Sequence, residues 1–115
     1  MSTPVGPYTP AVRAGEWVIC SGQLGLLDGE LVPGLDAQVR QAVANLEALL
    51  ATQGATLSEV VKTTVFLVHM SDYPTMNDTY VEAFGPHRPA RSAVAVSALP
   101  LGALVEVEAW AHLPR

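Results

Sequence analysis

Ser92-Ala93-Val94-Ala95-Val96-Ser97-Ala98 (SAVAVSA) decides how this chain folds. A strand sends alternate side chains to opposite faces, and here both sets are small or apolar: Ala93 and Ala95 on one side, Val94 and Val96 on the other. There is no clean polar face. An antiparallel or mixed sheet containing such a strand must be buried on both sides. Working outward, Lys62 to Met70 (KTTVFLVHM) is dominated by β-branched residues and predicts a strand. Glu16 to Ser21 (EWVICS), bounded by Gly15 and Gly22, predicts another. Leu99-Pro100-Leu101-Gly102 separates a strand over Arg91 to Ala98 from a last one over Leu104 to Ala111. Within Leu26 to Gly34, Asp28-Gly29 reads as a hairpin turn beside a short edge strand. From Asp36, Val39, Val43, Leu46 and Leu50 recur on one helical stripe, with Asp36 placed to cap the helix and Gly54 to end it. Ser71-Asp72 opens a second helix, with Pro74 in its first turn and Met76, Tyr80 and Phe84 four apart, until Gly85-Pro86 stops it. The class is therefore α+β. Two helices cover one face of such a sheet and leave the other to copies of the same chain, and sites often lie between such subunits.

The 115 residues have room for one domain, residues 1–115, with no internal repeat or linker. Half are apolar and only 15% are charged, against about 25% in an average domain, which excludes intrinsic disorder. No run reaches the ~18 apolar residues of a membrane span, and MSTPVGPYTPAVRAGEW lacks the apolar centre of a signal peptide, so a cytoplasmic protein is expected. The single cysteine, Cys20, makes neither an internal disulfide nor a cysteine-based zinc cluster. Six Lys and Arg face eleven Asp and Glu, for a net charge of −5. The arginines at 13, 40, 88, 91 and 115 are mostly scattered and Lys62 is the only lysine, a poor fit to phosphate backbones.

Arg91 is the most informative charge. It stands in Pro89-Ala90-Arg91-Ser92, at the start of an otherwise uncharged strand, where a guanidinium is costly to desolvate without a partner. Its planar fork suits a small organic acid, although spacing alone slightly favours an arginine snorkelling at a strand end. Glu106 and Glu108 lie two apart in LVEVEAW and share a face opposite Val105, Val107 and Ala109. One could activate a water as a general base, or the alternation could simply mark a half-exposed strand. His69, His87 and His112 show no metal-ligand spacing. Cys20 reads as a small buried apolar group. With no phosphate-cradling glycine loop, nucleophile elbow or dinucleotide fingerprint, no cofactor or metal is expected.

Gly6-Pro7-Tyr8, Ser21-Gly22-Gln23, Asn45-Leu46, Lys62-Thr63-Thr64-Val65-Phe66-Leu67, Asn77 with Tyr80, Pro89-Ala90-Arg91-Ser92, Leu99-Pro100 and Val105-Glu106-Val107-Glu108-Ala109 together resemble the Rid (YjgF) family of reactive enamine/imine deaminases. Each piece is common, but the ordered set, running from Gly6 to Ala111, is specific. The resemblance implies a chorismate-mutase-like α+β fold, a mixed sheet backed by two helices that trimerises around a central barrel. It implies active sites in clefts between subunits, no cofactor, and hydrolysis of 2-imino acids and their enamine tautomers, such as 2-aminoacrylate, to 2-keto acids and ammonia. Position by position, Arg91 would clamp the substrate carboxylate and Glu108 would activate the water, with Glu106 the weaker candidate. Tyr8, Ser21, the Gly22 N–H and Asn77 would line the pocket. Family members often carry a cysteine two residues after the arginine; here that position is Ala93, and Cys20 belongs to another strand.

Two other readings stand beside this one. A trimer could bind a carboxylic acid without turning it over, a reading the Ala93 departure supports. An endoribonuclease is a further alternative, opposed by the net acidity and the lack of paired histidines.

Overall fold

The computed structural model describes residue 4 and residues 6–114; Arg115, counted above among the arginines, lies outside the described residues. The chain enters the sheet through β1 (Ala11–Ala14), turns at Gly15 and returns as β2 (Trp17–Leu24). A two-stranded hairpin follows, β3 (Leu26–Leu27) and β4 (Glu30–Leu31), joined through Asp28 and Gly29, whose φ values of 54° and 83° suit the right-handed twist of its strands. Helix α1 (Leu35–Thr52) buries Val39, Val43, Leu46 and Leu50, the expected stripe, together with Gln38, Ala42 and Leu49. β5 (Val60–Leu67), α2 (Tyr73–Phe84), β6 (Ala90–Ala95) and β7 (Val105–His112) complete the order.

The five long strands form one mixed sheet in the order β1-β2-β7-β5-β6, antiparallel except for the parallel β5–β6 pair. Both helices lie on one face. Val18 and Cys20 from β2, Val65 and Leu67 from β5, and Val105, Val107, Ala109 and Ala111 from β7 close on Leu46, Leu50, Met76, Tyr80 and Phe84 as one core. Each fully buried Val or Leu contributes about 1.5–3 kcal/mol. The opposite face is uncovered. Val12, Ile19, Trp110 and Lys62 form one cross-strand row there, Glu108, Thr64 and Ser92 the next, and Glu106, Phe66 and Val94 a third. Val12, Trp110 and Val94 are each more than 40% exposed on this face, and Trp17 meets Trp110 edge-on with ring centroids 6.2 Å apart. This is the α+β fold with a mixed sheet and two helices that the sequence predicts. Among the described residues no helix is long and apolar enough to cross a membrane.

Several boundaries differ from the sequence reading. β1 was not expected, because AVRA is too short to show alternation. β2 runs three residues beyond Ser21, carried through a bulge, and β5 begins at Val60 rather than Lys62 and gives way before Met70, which sits in a 3₁₀ turn. Asp36 does not cap α1: Gly34 occupies that position at φ 92°, and Asp36 falls in the first turn, where a carboxylate still complements the helix dipole. Asp72 starts α2 without a side-chain cap bond. The last two strands are Ala90–Ala95 and Val105–His112: the first ends three residues before the expected Ala98, so Val96, Ser97 and Ala98 lie outside it, and the second is shifted by one residue at each end.

Polar side chains pin α1 to the hairpin. Asn45 Nδ2 donates to the Leu24 and Leu26 carbonyls at 3.0 Å each, and Gln38 donates to the Val32 carbonyl while accepting from the Leu104 N–H. The approach is so close that a Cβ on Gly25 would stand 2.6 Å from Gln38 Cα. Backbone cannot yield there as a side chain does. Gly25→Ala is accordingly expected to destabilise the protein by about 1–3 kcal/mol, read as a lower thermal midpoint in circular dichroism.

Candidate functional site

Arg91 leaves β6 in register with Thr63, whose own partner across β7 is Ala109; both are fully buried toward the helices, so Arg91 points to the helix side of the sheet. There it meets α2. The guanidinium carbon lies 5.0 Å from the Tyr80 ring centroid and 5.5 Å from that of Tyr73. Nη2 donates to the Tyr73 hydroxyl at 3.0 Å and Nη1 faces Met76 Sδ at 3.8 Å. Tyr80 is fixed in turn by a 2.7 Å hydrogen bond between its hydroxyl and Thr63 Oγ1, and burial raises its pKa against the opposing effects of that bond and of Arg91 and Arg88. Among the described residues Arg91 forms no ion pair; the two present are Arg40–Glu82 and His112–Glu16. The cation is thus oriented entirely by neutral groups.

Asn77 lies four residues after Tyr73 and three before Tyr80, on the helix face that carries the arginine. Its Oδ1 is buried and has no hydrogen-bond partner among the described residues. Among the described residues the only other buried side-chain oxygen in that position is Ser21 Oγ. Both residues are site candidates from sequence. Unsatisfied buried acceptors are rare enough to need an explanation, and a ligand supplies one.

Ser21 belongs to a second cluster. Between Cys20 and Gln23, β2 advances three residues while β7 advances two, so a bulge falls at Ser21-Gly22. Bulges re-aim side chains beside sites. The Glu106 carboxyl rests close on the β2 backbone at Gly22: a Cβ there would lie 2.6 Å from its carboxyl carbon and would push this flexible side chain aside. Burial, and then the neighbouring Glu108, raise the Glu106 pKa. Glu108 is half-buried opposite Thr64. Tyr8, 42% exposed, lies in the turn before β1.

Glu106 and Glu108 lie on the uncovered face and Arg91 on the other, so the candidate residues fall into two clusters on opposite sides of the sheet. Arg91 and Asn77 make up the first; Ser21, Gly22, Glu106 and Glu108 make up the second. The sequence reading missed Tyr73. Its signal was the seven-residue spacing to Tyr80 with Asn77 between, one helix face facing the arginine. Cys20 is fully buried, and burial pushes its thiol up to about 11, which leaves it inert as a nucleophile.

The model of the family described as endoribonuclease L-PSP matches residues 1–113. A 2-iminobutanoate/2-iminopropanoate deaminase of Mus musculus is 44% identical over 110 residues, covering 93% of this chain and 82% of that protein. The crystal structure of RidA from the Antarctic bacterium Psychrobacter superposes with a TM-score of 0.93 at 39% identity, covering 96% of this chain and 92% of the other. That of TdcF from E. coli with bound serine gives 0.92 at 32% identity, covering 96% and 91%.

Because its folded pKa is raised above the unfolded value, Glu106 adds stability that is fully present below the ordinary carboxylate pKa and is lost as pH rises through the raised one. Glu106→Gln does not titrate and escapes that loss. Melting curves are expected to show the variant gaining on the wild type between pH 4 and pH 7, with the gain concentrated above pH 4.5.

Proposed function

The chain belongs to the endoribonuclease L-PSP family, also called the YjgF or Rid family, and from that membership we propose that it is an imine deaminase, a hydrolase that converts 2-imino acids and their enamine tautomers to 2-keto acids and ammonia. The observation that carries the reading is the uncompensated Arg91. A guanidinium stacked on two tyrosines with no counter-carboxylate is a preformed seat for an anionic head group. The deaminase name of the mouse relative and the amino acid bound in the TdcF structure support a small amino-acid-derived carboxylate.

The mechanism follows from the chemistry of a protonated C=N group beside a carboxylate. Arg91 fixes the carboxylate, so the adjacent electrophilic carbon is presented in one orientation, which supplies much of the acceleration. Glu108 takes a proton from the attacking water and the new C–O bond forms. The proton passes to nitrogen, the carbinolamine hydroxyl gives its own proton to the same carboxylate as the C–N bond breaks, and ammonia leaves with a carbonyl in its place. One carboxylate serves for all three transfers. Tyr8, Ser21, the Gly22 N–H and Asn77 line the pocket.

Since Arg91 and Glu108 diverge within a chain, this chemistry requires a second copy. We infer a homotrimer in which the Arg91 half-site of one subunit meets the glutamate half-site of the next, with the uncovered faces packed round a central barrel. Trp17, Trp110, Val12 and Val94, exposed in the single chain, are apolar surface that such packing would remove from water.

The test generates an imino acid with an amino-acid oxidase and follows its decay. The wild type is expected to accelerate decay, and Arg91→Ala to reduce kcat/KM by about two orders of magnitude, the worth of two charge-assisted hydrogen bonds. Arg91→Lys keeps the charge, loses the fork and is expected to rescue little. Light scattering is expected to give three times the 12.1 kDa chain mass. No acceleration by the wild type for any of several side chains would refute the deaminase reading.

A further inference from the structure

Tyr73 is the first residue of α2, 38% exposed, and its hydroxyl accepts a hydrogen bond from Arg91 Nη2 at 3.0 Å. Its proton is uncommitted: the phenol oxygen accepts from the arginine, and its O–H has no acceptor among the described residues. Tyr80, the other ring on the guanidinium, is buried and spends its hydroxyl on Thr63. The two tyrosines are therefore not equivalent. One is a fixed platform, and the other stands at the mouth with a donor to give.

We propose that Tyr73 completes the carboxylate clamp: its oxygen holds one arm of Arg91 while its O–H donates to the carboxylate that docks beside Nη2. This rests on the imine-hydrolysis reading of the site. Each terminal nitrogen of a guanidinium carries two N–H groups. One on Nη2 goes to Tyr73 and one on Nη1 faces Met76 Sδ, which leaves one on each nitrogen for a carboxylate. A phenol suits this position better than a carboxylate would. An acid at the same place would orient Arg91 equally well but neutralise it, and would compete with the substrate for the same donors. A neutral acceptor fixes the geometry and leaves the charge whole. Tyr73 also covers part of the guanidinium with its ring, restricting rotation of the long side chain before substrate arrives.

The consequence is a binding effect concentrated on the acid group. Tyr73→Phe keeps the ring on Arg91 and removes only the hydroxyl. In the imine assay it is expected to raise KM by about tenfold, with a much smaller fall in kcat, and to weaken 2-oxobutanoate binding by a similar factor in calorimetry. In an Arg91→Lys background, where the fork is gone, the same substitution is expected to have far less effect, since coupled residues are not additive. Unchanged KM and unchanged 2-oxobutanoate affinity in Tyr73→Phe would overturn the proposal, as would an equal effect in both backgrounds. If the wild type binds 2-oxobutanoate but turns over no imine, the deaminase reading falls. The calorimetric comparison still decides the role of Tyr73, supporting it if affinity drops and refuting it if affinity holds. A wild type that binds no 2-oxobutanoate refutes it too.

Discussion

A positive charge held among neutral groups, with no acid to balance it, is the constraint on which the arrangement of this molecule depends. Arg91 projects onto the side of the sheet where Met76, Tyr80 and the helices pack, a place where an unpaired ion is expensive. Two aromatic faces recover part of that cost, about 0.5–2 kcal/mol for each cation–π contact depending on desolvation. They do so without cancelling the charge. An ion pair would have made a more settled surface and a worse receptor, because a bound acid must then be displaced before another can enter. Half-burial adds to this: the guanidinium is partly desolvated and still open to solvent.

The second constraint is parity. Side chains on neighbouring strands share a face only when their residues are paired in register, and the pairings Arg91–Thr63–Ala109 and Ser92–Thr64–Glu108 put the arginine and the glutamate on opposite faces. No rotamer change brings them together through a sheet. β6 is also the last strand of the sheet, with one edge free of strand pairing among the described residues. An arginine at a sheet edge and a glutamate on an uncovered face are what the proposed contact between copies would bring together. The bulge at Ser21-Gly22 belongs to the same design, since it locally shifts β2 against β7 and makes room for the Glu106 carboxyl on the strand beside it.

Most of the fold was legible from periodicity because its strongest signals were long. The stripe Val39, Val43, Leu46, Leu50 and the stripe Met76, Tyr80, Phe84 are all buried, and the alternation of Val105 to Ala109 against Glu106 and Glu108 is the alternation observed. What escaped was short or depended on tertiary contact. AVRA is a strand because EWVICS pairs with it, not because of its own pattern. β5 starts at Val60 because a second bulge, at Val61, lets it pair earlier with Ala111. Asp36 had the chemistry of a cap, but Gly34, with its left-handed backbone, took the position. At the site, the residue types were readable and their grouping was not. The sequence places Arg91 and Glu108 on separate strands, yet only the pairing register reveals that they face away from each other. The spacing of Tyr73, seven residues before Tyr80 with Asn77 between, gains its meaning only from the contact with Arg91.

The family description speaks of an endoribonuclease, and the residues argue against that chemistry here. Cleaving RNA at the 2′-hydroxyl calls for a base and an acid on either side of a phosphate, and for cations to hold the strand. The histidines are dispersed: His87 is tied to the Val60 carbonyl at 2.7 Å, and His112, on β7, pairs at 2.9 Å with Glu16 in the turn between β1 and β2, beside Trp17. The net charge of −5 repels a polyanion. Imine hydrolysis asks for much less. Its substrate is already electrophilic, so neither a thiolate nor any other covalent nucleophile is needed, and the alanine at position 93 removes nothing the reaction requires. One anion has to be held and one water has to lose a proton. A single unbalanced arginine and a pair of glutamates are matched to that demand in number and in charge.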